Sequence, residues 1–263
     1  MMNRKMTAAA ALLLALVMVC ACALAEITVT KRDLKLNRSL DKNVNNVLVL
    51  MQNGDMTDTV MIASINSRTG RSVMTMVECD TTVNVPEAGD VQLGEVYMMG
   101  APKSRGLLAA RALNSLLDLN ISTYVAMDLS ILPELVDEIG ALSMWLNEEE
   151  AAILDTWAGD NALTSANILD YVNIRLESDY AEKNRSYTVF MDLLRQGLRA
   201  NGGTNLLSLG KRLLEGMDTN LNALAGVTML SSFQGGDDRR ELYLYSDMSA
   251  EEMKAAFYKE VYE

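Results

Sequence analysis

The chain has 263 residues, a formal net charge of −12 and no histidine. The lack of histidine excludes catalytic triads, general bases and metal sites that depend on imidazole. The acidic balance argues against nucleic acid as a partner, because it repels phosphate and no basic, aromatic strip offsets it.

The first 25 residues have the pattern of an export signal. Basic residues precede an apolar run from Ala8 to Val19, and a small-residue cleavage motif ends at Ala25. The run is short for a bilayer, which favours a removable signal over a spanning helix. A lipoprotein signal ending at an acylated Cys22 and an uncleaved anchor are the alternatives. All three predict an exported protein at the outer face of the cytoplasmic membrane or in the cell wall.

The rest of the chain divides into a short entry segment and one domain. Residues 26–45 are polar and are interpreted as a linker or entry strand, and residues 46–263 are long enough to bury a sizeable core. Cys79 is the only cysteine after the signal, so we expect no intramolecular disulfide once the signal is removed.

Three β-rich runs open the domain and indicate central strands. They lie at residues 47–50, 59–65 and 72–77. The second and third are apolar at consecutive positions, as expected of strands covered by helices on both faces. A turn-rich gap is predicted at residues 52–58, and Gly70 can supply a positive φ in the loop that starts at Asn66.

The later part of the chain alternates turns with amphipathic segments. Residues 81–85 are predicted to continue the sheet as a hairpin arm, and residues 92–100 to be irregular. Apolar spacing and cap signals predict helices at 104–117, from about 130 to Gly140, from Glu148, and at 164–176, 186–200, 206–215 and 250–262, with strands at 122–127 and 241–245. Strands separated by helices predict a three-layer α/β/α fold with a central mixed β-sheet.

Methionine and tryptophan give two further expectations. The 18 methionines fit plastic core filling better than an apolar groove for a lipid chain. Trp145 and Trp157 are expected in the core rather than on a ligand platform.

Several short motifs occur in a fixed order between about residues 46 and 196. They are Asn46-Val-Leu-Val-Leu50, Thr57-Asp-Thr-Val-Met61, Ala63-Ser-Ile-Asn66, Cys79-Asp-Thr81, Leu135-Val-Asp-Glu-Ile-Gly140, Asp170-Tyr-Val-Asn-Ile-Arg175 and Asn184-Arg185. Each motif alone is a weak signal. In this order and spacing they resemble the LytR–CpsA–Psr family of cell-envelope proteins.

The resemblance implies a phosphotransferase. Members of the family bind a polyprenyl-pyrophosphate-linked glycopolymer and transfer it onto peptidoglycan, with Mg²⁺ as cofactor. Pyrophosphate needs arginine forks and a divalent cation to balance its charge. By resemblance, Asp58 and Asp80 match catalytic carboxylates, Asn53 stands beside Asp58 at the metal, and Arg175 and Arg185 match pyrophosphate-binding arginines.

The sequence departs from the family pattern at charged positions. Asn53 replaces a metal-site acid, Cys79, Asp55, Asn173 and Glu182 replace arginines, and Gln92 replaces a lysine. Each lost charge-assisted contact is worth roughly 1.5–3 kcal/mol. We therefore expect a divergent member whose transferase activity is weak, altered or absent.

Two classes of function remain open. The chain is either a glycopolymer phosphotransferase or a non-catalytic envelope protein that binds a lipid carrier, peptidoglycan, another wall polymer or a paralogous transferase. A transcription regulator is disfavoured by the signal and the acidic charge. At the residue level, Asp58 and Asp80 could be turn residues, Arg175 and Arg185 could form surface ion pairs, and Cys79 could be a buried free thiol.

Overall fold

The structure is a computed structural model that describes residues 26–176, 184–200, 216–222 and 238–263. The predicted signal at residues 1–25 and the predicted helix at residues 206–215 lie outside the described residues. Glu182, one of the departures from the family pattern, lies outside them as well.

A six-stranded sheet forms the centre of the domain, in the order β10-β3-β2-β1-β6-β9. Two further ribbons, β4–β5 and β7–β8, stand apart from it. The strands are β1 Val44–Asn53, β2 Met56–Asn66, β3 Ser72–Val77, β4 Thr82–Val85, β5 Gly89–Gln92, β6 Thr123–Asp128, β7 Leu142–Leu146, β8 Gly159–Leu163, β9 Met217–Thr219 and β10 Arg239–Leu244.

Strand directions in the sheet are mixed, as predicted. β1 is parallel to β6 and β3 is parallel to β10, whereas β2 is antiparallel to both β1 and β3. The carboxyl ends of β1, β3, β6 and β10 therefore meet at one edge, together with the beginning of β2. We call this the carboxyl edge of the sheet.

Helices cover both faces of the sheet, so the predicted three-layer α/β/α fold is confirmed. The helices are α1 Leu93–Met99, α2 Arg105–Leu117, α3 Leu132–Ile139, α4 Glu148–Ile153, α5 Ile168–Val172, α6 Arg185–Ala200 and α7 Ala250–Tyr262. One hydrophobic core lies beneath α1, α2 and α7, and the other beneath α3 to α6. β3 is buried at every position, which explains its unbroken apolar run.

The methionines of the sheet belong to the second core. Met51, Met61, Met74, Met76 and Met127 are all buried there. These side chains fill the core, as expected of a flexible thioether that adapts to irregular gaps.

Several predicted elements need correction. The turn between β1 and β2 is shorter than predicted, so Asp58 lies inside β2 rather than in a loop. Residues 92–100 are not irregular, because α1 buries Leu93, Val96 and Tyr97. The hairpin at residues 81–85 forms its own ribbon with β5 rather than extending the sheet. The helix predicted at residues 164–176 is only Ile168–Val172.

The tryptophan prediction was wrong. Trp145 lies on the outward face of β7 and is 67% exposed, and Trp157, before β8, is 69% exposed. No sequence pattern indicated the β7–β8 ribbon, in which side chains alternate between the two faces and Trp145 points away from the core.

Among the described helices, none combines the length and the hydrophobicity that crossing a bilayer requires.

The edge strand β9 is held by a carboxylate that two tyrosines share. Tyr97 and Tyr124 each donate a hydroxyl hydrogen bond of 2.9 Å to Asp218. The ring of Tyr124 lies directly against Gly106 of α2, where a Cβ atom would overlap it. The absence of a side chain at Gly106 therefore fixes how closely α2 approaches the sheet.

Gly106→Ala should destabilise the protein. The added methyl group must displace the Tyr124 ring, and overpacking of this kind costs about 1–3 kcal/mol of unfolding free energy. Urea denaturation followed by circular dichroism measures the change. Ser115→Ala, at an exposed position of the same helix, is the control and should change stability by less than about 1 kcal/mol. Equal midpoints for Gly106→Ala and the wild type would contradict the packing described.

Candidate functional site

A cleft of about 220 Å³ opens at the carboxyl edge of the sheet. Its walls come from the beginning of β2, the ends of β3 and β10, and the residue before α6. The lining residues are Asp58, Thr59, Val60, Met76, Val77, Glu78, Cys79, Asp80, Asn184, Tyr243, Leu244 and Tyr245. Asp58 and Asp80, predicted from separate motifs, thus line one cleft.

Asp58 is the best-anchored acid of the cleft. Its Oδ1 accepts a short charged hydrogen bond from Arg175, and its Oδ2 accepts one of 2.6 Å from the Ser186 hydroxyl. Thr59 donates a further hydrogen bond of 3.2 Å to Oδ2. The Asp58 side chain is only 12% exposed. Residues from β2, α6 and the segment after α5 therefore hold the carboxylate in one orientation.

Arg175 presents a fixed positive charge beside Asp58, although Arg175 is not itself among the residues that line the cleft. Its Nη1 donates to the carbonyl oxygens of Val172 at 2.8 Å and Ile174 at 2.9 Å, just after α5 ends. Carbonyl groups at a helix C-terminus favour a cation. The side chain nevertheless remains 60% exposed, so the guanidinium is both positioned and accessible to solutes.

Arg185 lies beneath the cleft and not among its lining residues. Its Nε donates to Glu150 at 2.8 Å and its Nη1 donates to the Ile174 carbonyl at 3.0 Å. The side chains of Arg185 and Glu150 are only 3% and 1% exposed. The structure therefore brings Arg175 to Asp58 but places Arg185 in a buried ion pair that supports the backbone next to Arg175.

Glu150 has two tasks, and the sequence indicated only one of them. It closes the capping box of α4, where its Oε2 accepts a hydrogen bond of 3.0 Å from the Asn147 backbone. Its other oxygen binds Arg185. The acidic start of α4 was predicted, but no local pattern links Glu150 to an arginine 35 residues later.

Asn184 and Ser186 complete the site and were missed as functional residues. Asn184 accepts a hydrogen bond of 2.8 Å from the Tyr187 backbone at the start of α6, and its amide donates to Thr59 at 2.9 Å. Ser186, the second residue of α6, donates its hydroxyl hydrogen to Asp58. An Asn immediately before a helix is a cap signal, so the sequence could have identified Asn184.

Asp80 and Cys79 follow β3 at the rim of the cleft. Asp80 is exposed, and Cys79 is a half-buried free cysteine. Burial, and next the charges of Asp58 and Asp80, raise the pKa of the Cys79 thiol to about 12. The thiol is therefore protonated at neutral pH, which disfavours Cys79 as a nucleophile.

The donors around Asp58 do not fit a Mg²⁺ site. Both carboxylate oxygens already accept hydrogen bonds, and the Asn53 amide donates to Asn173 at 2.7 Å. Within the described ranges, no group of three or more Asp, Glu, Cys or His side chains is arranged to hold a metal. Mg²⁺ usually needs an octahedron of oxygen ligands with carboxylates among them. The guanidinium of Arg175 occupies the place beside Asp58 where a cation would bind.

Among the described residues that line the cleft, the charged ones are all acidic. They are Asp58, Glu78 and Asp80, and Arg175 contacts the first of these. Glu78 is held by the backbone and hydroxyl of Ser246, each donating at 2.6 Å.

Residues 26–253 match the model of the LytR_cpsA_psr family. The chain belongs to the LytR–CpsA–Psr family. It is 25% identical over 170 residues to the polyisoprenyl-teichoic acid–peptidoglycan teichoic acid transferase TagU of Enterococcus faecalis, covering 63% of this chain and 55% of that protein. The chain therefore spans little more than half the length of this curated relative.

Solved structures of LytR–CpsA–Psr proteins share the fold. TagT of B. subtilis superposes with a TM-score of 0.65 at 15% identity, covering 86% of this chain and 95% of TagT. YwtF (TagT) with bound octaprenyl pyrophosphate lipid gives a TM-score of 0.66 at 14% identity, covering 90% of this chain and 99% of the other. At these identities the likeness concerns the fold alone.

Glu150→Gln should strongly destabilise the domain, because it removes the negative charge that Glu150 presents to the buried Arg185 guanidinium. Breaking one side of a buried pair costs about 3–5 kcal/mol. Chemical denaturation measures the loss, and Glu148→Gln, an exposed acid on the same helix, is the matched control. A Glu150→Gln variant as stable as the control would show that the pair does not support the site.

Cys79 should react slowly with iodoacetamide. A pKa raised to about 12 keeps the thiol protonated, so alkylation at pH 9 should be at least about tenfold slower in the folded chain than in urea. Because the pKa of Cys79 is higher in the folded chain than in the unfolded chain, the free energy of unfolding should fall as the pH rises from about 9 toward about 12. Mass spectrometry of a Cys20→Ser, Cys22→Ser variant follows Cys79 alone, and equal rates in both states would contradict the environment described.

Proposed function

We propose that this protein is a divergent cell-envelope member of its family that binds the phosphate group of a polyprenyl-linked glycopolymer at the carboxyl edge of the sheet. The observation that carries the proposal is the exposed guanidinium of Arg175, which is held by two backbone carbonyl oxygens and by Asp58, a lining residue of the cleft. A preorganised arginine with accessible N–H groups is well suited to phosphate oxygens.

The charge of the cleft favours a head group with few negative charges. One charge-assisted contact contributes roughly 1.5–3 kcal/mol, and Glu78 and Asp80 repel a second phosphate group. The protein therefore binds a polyprenyl monophosphate at least as tightly as the corresponding pyrophosphate. This preference separates it from a transferase that must hold the pyrophosphate donor firmly.

Transfer of the polymer onto peptidoglycan is correspondingly weak or absent. In a transfer reaction, Arg175 would neutralise the phosphate, while Asp58 would hold Arg175 in place. The exposed carboxylate of Asp80 would accept the proton of the attacking sugar hydroxyl, the pyrophosphate P–O bond would break, and polyprenyl monophosphate would leave. Phosphoryl transfer depends mostly on positioning and charge stabilisation, and here one arginine must supply both. TagU of E. faecalis is named as such a transferase, and the match to this chain covers only 55% of its length.

A Mg²⁺ requirement stays a prediction from the resemblance to the family. By the resemblance Asp58 and Asn53 are its oxygen donors, but the hydrogen bonds of these two side chains do not fit a Mg²⁺ site.

The location is proposed to be outside the cytoplasm. The pattern of residues 1–25 supports export, by cleavage after Ala25 or by acylation of Cys22. A polyprenyl-linked glycopolymer has its polar head group at the outer face of the cytoplasmic membrane. A peripheral or lipid-anchored protein on that side of the membrane reaches the head group. A non-catalytic member could there deliver the carrier to a paralogous transferase, which is the alternative function.

Arg175→Gln should weaken binding of undecaprenyl phosphate by about tenfold or more, because it removes the charge-assisted contact. Flotation with neutral vesicles that contain this lipid measures the binding, with and without Mg²⁺. Arg195→Gln removes another exposed, ion-paired arginine and is the control. Equal binding by wild type and Arg175→Gln would refute the proposed phosphate site.

A transfer assay decides between the two functions. Wild-type protein, polyprenyl-pyrophosphate-linked polymer and peptidoglycan are incubated with Mg²⁺, and polymer attached to the wall is counted. We expect little or no transfer. Turnover as fast as that of a TagT-type transferase assayed in parallel would overturn the view that the site is degenerate.

A further inference from the structure

The β7–β8 ribbon and α4, between its strands, expose a group of large apolar side chains. Trp145 and Trp157 are 67% and 69% exposed, and Ile153 is 53% exposed. These are the only two tryptophans of the chain. Two exposed indoles are unusual on a protein surface that binds nothing, because their exposure forfeits the free energy gained by burying them. We call Trp145, Ile153 and Trp157 the tryptophan surface.

The surroundings of the tryptophan surface are acidic. Between Ala112 and Ile174 the chain has eleven Asp and Glu residues and no Lys or Arg. Asp160 is the direct cross-strand partner of Trp145, and the exposed Asp155 precedes Trp157 by two residues. Carboxylate oxygens therefore flank the indoles and can accept hydrogen bonds, whereas phosphate-bearing molecules are repelled.

The tryptophan surface is tied to the candidate site. Glu150 of α4 binds Arg185, which holds the Ile174 carbonyl next to Arg175. Trp145 precedes Glu150 by five residues and Trp157 follows it by seven, so fully extended chain would place them at most about 18 and 25 Å from it. A chain of a few sugar rings bridges such distances.

We propose that the tryptophan surface binds a glycan backbone that carries no phosphate, made of neutral or amine-bearing hexosamines. This proposal rests on the proposed function, which supplies both a sugar polymer and a glycan acceptor near the cleft. Indole faces carry a negative quadrupole, so they attract the C–H face of a sugar ring and any ammonium group above it. The acidic residues then accept hydrogen bonds from sugar hydroxyls and amines. The surface thereby selects the acceptor glycan over a phosphate-bearing polymer.

Other occupants fit the same surface less well. The five-residue strands of the ribbon give a face of roughly 17 by 10 Å, far below the roughly 800 Å² that each partner buries in a stable protein interface. An anionic bilayer is repelled by the carboxylates, since this stretch offers no Lys or Arg to its head groups.

The test uses the fluorescence of the full chain, which reports this surface alone because it has no other tryptophan. The probes are chitotetraose, its fully deacetylated form and a poly(glycerol phosphate). We expect saturable changes with both tetramers, tighter binding of the amine-bearing one, and no change with the polyphosphate. Trp145→Ala and Trp157→Ala should each weaken binding about threefold or more.

Two further variants separate specific recognition from general stickiness. Asp160→Asn should weaken binding of the deacetylated tetramer more than binding of chitotetraose. Met56→Ala removes another exposed apolar side chain, 51% exposed at the β1–β2 turn, and should leave both affinities unchanged. Thermal melts establish that each variant is folded.

The proposal is overturned if neither tetramer changes the fluorescence or releases heat. It is equally overturned if a lysine-rich peptide, a lipid vesicle or a second copy of the chain occupies the surface while the tetramers do not. Tetramer binding by a chain that does not bind undecaprenyl phosphate supports this inference and counts against the proposed phosphate site alone.

Discussion

The buried pair of Glu150 and Arg185 is the interaction on which the candidate site depends. It joins the start of α4 to the start of α6, and the same guanidinium holds the carbonyl that also receives Arg175. A buried charge is costly unless it is paired, so this contact fixes the relative position of the three segments. The cleft therefore has one well-defined geometry, in which Asp58 accepts hydrogen bonds from both Arg175 and Ser186.

Much of the scaffold was predictable because it follows local rules. Consecutive apolar residues marked β2 and β3 as central strands, and helical spacing marked α2, α6 and α7. The meeting of Asp58 with Arg175 was predictable only through motif order, since 117 residues separate them. The direction of Arg185 was not predictable, because a guanidinium beside a surface helix can turn outward or inward, and its acidic partner decides which. Trp145 shows the same limit, since a five-residue strand leaves too short a pattern to reveal which side faces water.

The charge distribution of this chain differs from the arginine-rich site that its family resemblance implies. Among the described residues, three carboxylates line the cleft and the Arg175 guanidinium contacts one of them, while the β7–β8 ribbon carries acids without any base. Such a surface tolerates one phosphate and discourages a second. It also accommodates uncharged or cationic sugars. Both proposals therefore follow from one electrostatic property, which acts at two places joined by the buried pair.

The wall of the cleft formed by Tyr243 and Leu244 has a consequence for folding. β10 reaches the sheet as a parallel neighbour of β3, although more than 160 residues lie between their paired positions. Contacts this far apart in sequence form late, because a long loop must close before they stabilise the chain. While the polypeptide is being synthesised, β3 thus has an unpaired edge until Arg239–Leu244 has emerged. A nascent chain stalled before β10 would bear Asp58 and Asp80 on an open sheet that invites strand addition from another molecule.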